Sequence, residues 1–141
     1  MKYKNKGEAS IRIHAPVSGV WKALTDPAMI KQYLFGTNTK STWKEGEPIT
    51  FSGEWEGKKY EDKGTILKIV PEKILKYSYW SSMSGIEDKP ENYYIITNSL
   101  QAIDDDTILT ITQENIADEK VKEHSEGNWK VVLEGIKKLL E

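Results

Sequence analysis

The sequence predicts an α+β fold, a run of antiparallel strands packed against one long C-terminal helix. Three observations carry this. Apolar residues alternate with period two in residues 8–14 and again from Thr39 to Ile116. Between those stretches lie two short helical stripes, each opened by a proline. After "ENIADEK" the period returns to 3.6 and holds to the C-terminus. Strands segregated from helices in this way argue for a sheet with a helix laid across one face.

Each element follows from its own pattern. "EASIRIH" places Ala9, Ile11 and Ile13 on one face and Ser10, Arg12 and His14 on the other, a half-buried strand. Pro16 suits a helix start, with Val17, Val20, Trp21 and Leu24 as its apolar stripe. Asp26 and Pro27 then read as N-cap and first position of a second short helix. In "EPITFSGEW", Ile49, Phe51, Gly53 and Trp55 share a face, and Gly57 marks a hairpin turn. "GTILKIV" is a strand ended by Pro71, and Leu75, Tyr77 and Tyr79 alternate in the next one. "SGIEDKPEN" is the longest loop, and "YYIITNSLQAIDDDTILTITQEN" is a hairpin with "DDD" at its turn. Gly53 and Gly64 are candidate β-bulges. Asp118 is the expected N-cap of the last helix, five to six turns long at ~3.6 residues per turn.

Composition excludes several function classes. The 141 residues suggest one domain, residues 1–141, large enough to bury a core. Net charge is −2 with no long run of like charge, so no nucleic-acid partner is expected. With no cysteine, disulfides, thiolate metal sites and cysteine nucleophiles are excluded, which fits a reducing, cytoplasmic location. "MKYKNKGEAS" lacks the apolar core of a signal peptide, and no run approaches the ~18 apolar residues of a membrane span. Five Trp and seven Tyr against two Phe favour half-wet surfaces, because each carries a polar tip on an apolar body.

The order of elements and several motifs resemble a known family. "IHAPVSGVWKALTDPAMIKQYLFG", "WKEG", "GTILKIVPEKILKYSYW", "TILTITQEN" and "HSEGNWKVVLEGIKKLL" together resemble the SRPBCC superfamily. Within it they look like the bacterial branch named for the activator of heat-shock protein 90 ATPase, and the likeness covers nearly the whole chain. The resemblance implies a helix-grip (START/Bet v-like) fold, a curved antiparallel sheet with two short helices and one long C-terminal helix, and a cavity between sheet and helix. It implies no fixed chemistry, since members include lipid and hormone binders, polyketide cyclases and a chaperone co-factor. The eukaryotic activator carries a separate N-terminal domain that contributes to chaperone engagement. This sequence corresponds to its other domain, so the co-chaperone role is discounted; a stress-response role rests on the family name alone.

Candidate site residues come from polar groups on apolar faces. On the last helix Val121, Val132, Ile136 and Leu139 form a stripe, yet Ser125 and Asn128 fall on it too. A helix over a curved sheet leaves a gap, so the half with Val121, Ser125 and Asn128 is expected to roof the cavity. Gly135 is expected to let helix and sheet approach closely. Asn98 shares a face with Tyr94, Ile96 and Leu100, and Gln113 with Leu109 and Ile111. Phe51, Trp55, Tyr77 and Tyr79 would supply an aromatic wall. The competing reading pairs each amide with backbone or a buried water.

No catalytic constellation is visible, and no metal site or cofactor is expected. His14 lies on the polar face of its strand, His124 beside the inner helical stripe. Metal-binding, nucleophile-elbow and phosphate-loop motifs do not occur. Glu56, Glu61 and Asp62 among lysines read as an exposed mixed-charge hairpin, and the "DDD" at 104–106 as a solvated turn. The sequence thus favours a non-catalytic binder of a small hydrophobic or aromatic molecule. A protein-interaction module, with a chaperone as partner, and a cyclase-like enzyme are the alternatives.

Overall fold

The structure is a computed structural model that describes residues 2–141. Its strands are β1 (Asn5–Ile13), β2 (Asn38–Ser41), β3 (Pro48–Trp55), β4 (Lys58–Val70), β5 (Ile74–Tyr79), β6 (Tyr94–Ile103) and β7 (Asp106–Ile116). Its helices are α1 (Val17–Thr25), α2 (Pro27–Tyr33) and α3 (Glu119–Leu140). The strands form one curved antiparallel sheet in the order β1-β7-β6-β5-β4-β3-β2. β2 to β7 make a simple meander, and β1 closes it by pairing with β7. α1 and α2 therefore carry the chain from one edge of the sheet to the other.

The helix boundaries are set by the expected side chains. Pro16 is the N-cap of α1, which begins one residue later at Val17. Asp26 ends α1 and caps α2, its Oδ1 accepting from the Ala28 N–H at 2.9 Å, with Pro27 in the first turn. Asp118 Oδ1 accepts from the Val121 N–H at 2.9 Å and starts α3. Glu119 in the first turn and Lys137 and Lys138 in the last complement the helix dipole.

The sheet departs from expectation at its irregular points. Neither Gly53 nor Gly64 shifts the register between β3 and β4. The shifts occur beside Leu67, between β4 and β5, and at Asn115, an extra residue in β7 with φ of +73°. Gly64 marks a close approach: a Cβ there would lie 1.6 Å from the Ser78 carbonyl oxygen. The Thr65 N–H bonds the Ser78 hydroxyl at 3.0 Å at the same place. Gly53 leaves room for the Tyr60 ring, whose hydroxyl would stand 2.6 Å from an added Cβ. The β6–β7 turn holds Asp104 and Asp105, but Asp106 belongs to β7 and binds Arg12 Nε at 2.8 Å and His14 Nδ1 at 3.0 Å.

α3 lies on the β1 edge of the sheet along its whole length. The Glu8 N–H donates to Glu126 Oε2 at 2.9 Å near one end, and Lys137 Nζ donates to the Arg12 carbonyl at 3.0 Å near the other. Gly7 permits this approach, since a Cβ there would lie 3.2 Å from Glu126 Cγ and 3.7 Å from the Lys122 carbonyl oxygen. Gly135, expected to do this, instead faces Tyr33 of α2, whose Cβ would be 3.2 Å from an added methyl. The core joins Ile13, Val20, Leu109, Ile111, Leu133 and Ile136, all essentially inaccessible to solvent.

Candidate ligand-binding cavity

Because α3 covers the β1 and β7 side and α1 packs against β6 and β7, the concave face of β3, β4 and β5 is left without a helix close upon it. The space between encloses a cavity of about 720 Å³. Its size falls within the range of roughly 300–1,000 Å³ usual for small-molecule sites. α3 turns two adjoining stripes to the protein. Lys122, Glu126, Leu133 and Lys137 recur at four- and seven-residue steps, and Glu126 and Lys137 hydrogen-bond β1. Val121, Ser125, Asn128, Val132 and Ile136 line the cavity. The polar residues thus belong to a stripe that runs beside a gap, open sideways along the helix rather than at one end only.

All eight residues singled out in the sequence stand around this one cavity: Phe51, Trp55, Tyr77, Tyr79, Asn98, Gln113, Ser125 and Asn128. Their environments differ. Phe51 and Tyr77 are buried, and the Phe51 ring lies 5.7 Å from both the Tyr77 and the Tyr79 ring centroids. Trp55, at the tip of β3, is 56% exposed and forms part of the rim. Asn98 is buried, its Nδ2 3.4 Å from the Leu75 carbonyl oxygen, a long contact. Gln113 Oε1 accepts from Trp129 Nε1 at 2.8 Å, so half of that amide is already used. Ser125 is 9% exposed, whereas Asn128 is exposed at the mouth. Neither side chain has a hydrogen-bond partner among the described residues. Leu133 is buried outside the expected stripe, and Leu139 is only half-buried.

Several lining residues escaped the sequence reading. The alternation that runs Tyr60, Asp62, Gly64, Ile66 puts the first two into the cavity. Asp62, expected on an exposed hairpin, is 7% exposed. Its Oδ2 accepts from the Tyr79 hydroxyl at 2.6 Å, and its Oδ1 from the Ser82 N–H at 2.9 Å and hydroxyl at 3.2 Å. The charged neighbours Lys59, Glu61 and Lys63 hid that period, although they occupy the other face. Trp43, Trp129 and Tyr33 also line the space. The Tyr33 hydroxyl donates to the Ala23 carbonyl at 2.9 Å, and the Tyr60 and Thr37 hydroxyls are 2.6 Å apart.

The cavity's phenols are suited to donating hydrogen bonds. Burial pushes the Tyr33, Tyr77 and Tyr79 phenols well above their ordinary range. The neighbouring Tyr77 adds to the rise for Tyr33, and the Asp62 carboxyl to that for Tyr79, while Asn98 beside Tyr77 pulls the other way. These groups stay protonated through neutral pH and act as neutral donors, not as bases or nucleophiles. His124 lines the mouth and is exposed. His14 lies outside the cavity beside Asp106. Among the described residues no cluster of three or more His, Cys, Asp or Glu is placed to hold a metal ion. Nor is any helix among them long and apolar enough to cross a membrane.

A seven-stranded antiparallel sheet, two short helices and a long C-terminal helix enclosing a cavity define a helix-grip protein of the SRPBCC superfamily. Residues 14–141 match the model of the family described as activator of Hsp90 ATPase homolog 1-like protein, and the chain belongs to that family. Its fold is close to the solution structure of ChR145 from Cytophaga hutchinsonii, at 46% identity and a TM-score of 0.86, covering 99% of this chain and 96% of that one. The Aha1 dimer from Colwellia psychrerythraea is similar in fold at 19% identity and a TM-score of 0.76, over 97% of this chain and 96% of that one. DynU16, from the dynemicin biosynthetic locus, aligns at 15% identity and a TM-score of 0.80, over 98% of this chain and 48% of that one. Among curated proteins none matches.

Proposed function

We propose that this protein, acting as one domain over residues 1–141, is a non-catalytic binder of a small, largely apolar molecule held between the sheet and α3. The observation that carries this reading is the convergence on one cavity of an aromatic wall and a few polar side chains. Phe51, Tyr77, Tyr79 and, at the rim, Trp55 supply apolar surface. Asn98, Gln113, Ser125 and Asn128 orient the ligand's polar groups, Ser125 and Asn128 having no protein partner to lose. A dry, empty space of this size would forfeit the contacts of every side chain around it, so occupancy by a ligand stabilises the fold.

A thermal-shift screen against apolar and aromatic metabolites tests the proposal, followed by chemical-shift mapping. Ligand at a hundredfold excess over Kd raises stability by about 2.7 kcal/mol. Shifts confined to Asn98, Gln113, Ser125 and Asn128 support the site. Asn128→Leu is expected to change stability by no more than about 0.5 kcal/mol, because the residue is exposed, and to weaken ligand uptake. Unchanged affinity in the folded variant removes Asn128 from the site.

Membership of the family favours a second reading, a protein-interaction module whose partner is a chaperone. Its test is stimulation of a chaperone ATPase by the full chain. No effect at saturating protein sinks it.

A further inference from the structure

Among the described residues Asp62 is the one carboxylate on the cavity wall, and no cation of theirs partners it. Its three hydrogen bonds come from neutral donors, the Tyr79 hydroxyl and the Ser82 N–H and hydroxyl. A carboxylate offers about four acceptor positions, so roughly one is left. Among the described residues no lysine or arginine lines the cavity. Lys63, its chain neighbour, points to the opposite face, with Nζ 2.6 Å from Asp88 Oδ2 and 5.7 Å from the centroid of the Trp80 ring. His124 lines the mouth and is exposed. A negative charge set in an apolar wall without a counter-charge is costly to the empty protein. It becomes favourable once a cation arrives. The rest of the wall suits the same guest, because Phe51, Tyr60, Tyr77 and Tyr79 line it and aromatic faces attract cations.

We propose that the cavity takes a small organic cation, an amine on an apolar or aromatic body, whose ammonium group binds Asp62 while its body lies against the tyrosine and phenylalanine rings. This deepens the pocket reading and rests on it. Three probes sharing one apolar body separate the two claims: 1-naphthylmethylammonium, 1-naphthylmethanol and 1-naphthoate, each titrated into the full chain and followed by chemical shift. The ammonium is expected to bind about ten- to a hundredfold more tightly than the alcohol, the factor for a hydrogen bond to a charged group. The naphthoate is expected to bind weakest. Asp62→Asn is expected to abolish the preference by weakening the ammonium more than the alcohol, and Asp62→Glu to retain it. Should the asparagine variant fail to fold, the ranking of the three probes on the native chain decides alone. Equal binding of ammonium and alcohol, with both shifting Asn98 and Ser125, overturns the cation inference and leaves the pocket standing. Binding by none of the three overturns both.

Discussion

The concave face of the sheet has two halves with different neighbours. On β1 and β7, where α3 lies close, the inward Ala9, Ile13, Leu109 and Ile111 are aliphatic and buried, with the Gln113 amide following at the boundary. On β3, β4 and β5, where no helix lies close, the inward residues add Phe51, Tyr60, Asp62, Tyr77 and Tyr79 to the aliphatic Ile49, Ile66 and Leu75. Aliphatic side chains fill a narrow gap at high density, whereas rings with polar tips line a wide one and keep their hydroxyls bonded. The composition of each half therefore reports how near the helix stands. The excess of Trp and Tyr over Phe in the sequence is concentrated around the gap.

The largest expected effect lies on the close half. Leu133 is 1% exposed and does not line the cavity. Leu133→Ala is expected to cost about 2–5 kcal/mol, transfer free energy plus a new void. Ser125→Ala, on the neighbouring stripe, removes a hydroxyl without a protein partner and is expected to change stability by about 0.5 kcal/mol or less. Urea unfolding of both variants measures the contrast. A cost for Ser125→Ala approaching that of Leu133→Ala would mean that the two stripes are packed alike, and the distinction between the halves would fail.

The fold was legible because periodicity and caps are local signals. Asp26 and Asp118 cap where a carboxylate before a helical stripe should, and Ala9, Ile11 and Ile13 share the inward face of β1. The eight candidate residues could be placed on faces from alternation on the strands and the helical stripe of α3, and the faces converge on the cavity. What was hidden depends on contacts between distant segments. Asp62 looked solvated among lysines, and only the meeting of β4 with Tyr79 and Ser82 reveals its burial. The bulges at Leu67 and Asn115 are likewise non-local. Asn115 tolerates its positive φ while its side chain bonds the Glu91 and Tyr93 carbonyls and the Tyr3 N–H. Gly7 gave no sign in the sequence of which element it would face, and Gly135, expected to face the sheet, faces α2 instead.

A smaller effect is expected at the boundary between the halves, where Trp129 Nε1 donates to Gln113 Oε1 at 2.8 Å. Trp129→Phe keeps most of the ring and leaves the Gln113 carbonyl without its donor. If that carbonyl faces a dry wall, stability falls by about 1–3 kcal/mol; a cavity that admits water reduces the loss to well under 1 kcal/mol. Gln113→Leu in the Trp129→Phe background separates the cases. Recovery of stability in the double variant identifies a dry boundary, and no change identifies a wet one.

The smallest expected effect belongs to the far end of the close half, where charge is compensated outside the core. The Arg12 guanidinium, with His14 beside it, holds the Asp106 carboxyl below its ordinary range. A carboxyl depressed in the folded state contributes stability above its unfolded value and loses it as pH falls through the folded one. The contribution is therefore complete at neutral pH and disappears on acidification below about pH 4, where an unperturbed aspartate takes up its proton. Urea midpoints of the native chain and Asp106→Asn, compared from neutral to acid pH, are expected to differ at neutral pH and converge in acid. Added salt is expected to narrow the neutral-pH difference, since the pair is solvent-accessible. A difference that persists at low pH and high salt would assign Asp106 a packing role at the β6–β7 turn. The close half would then be held at its edge, as in its centre, by contacts and not by charge.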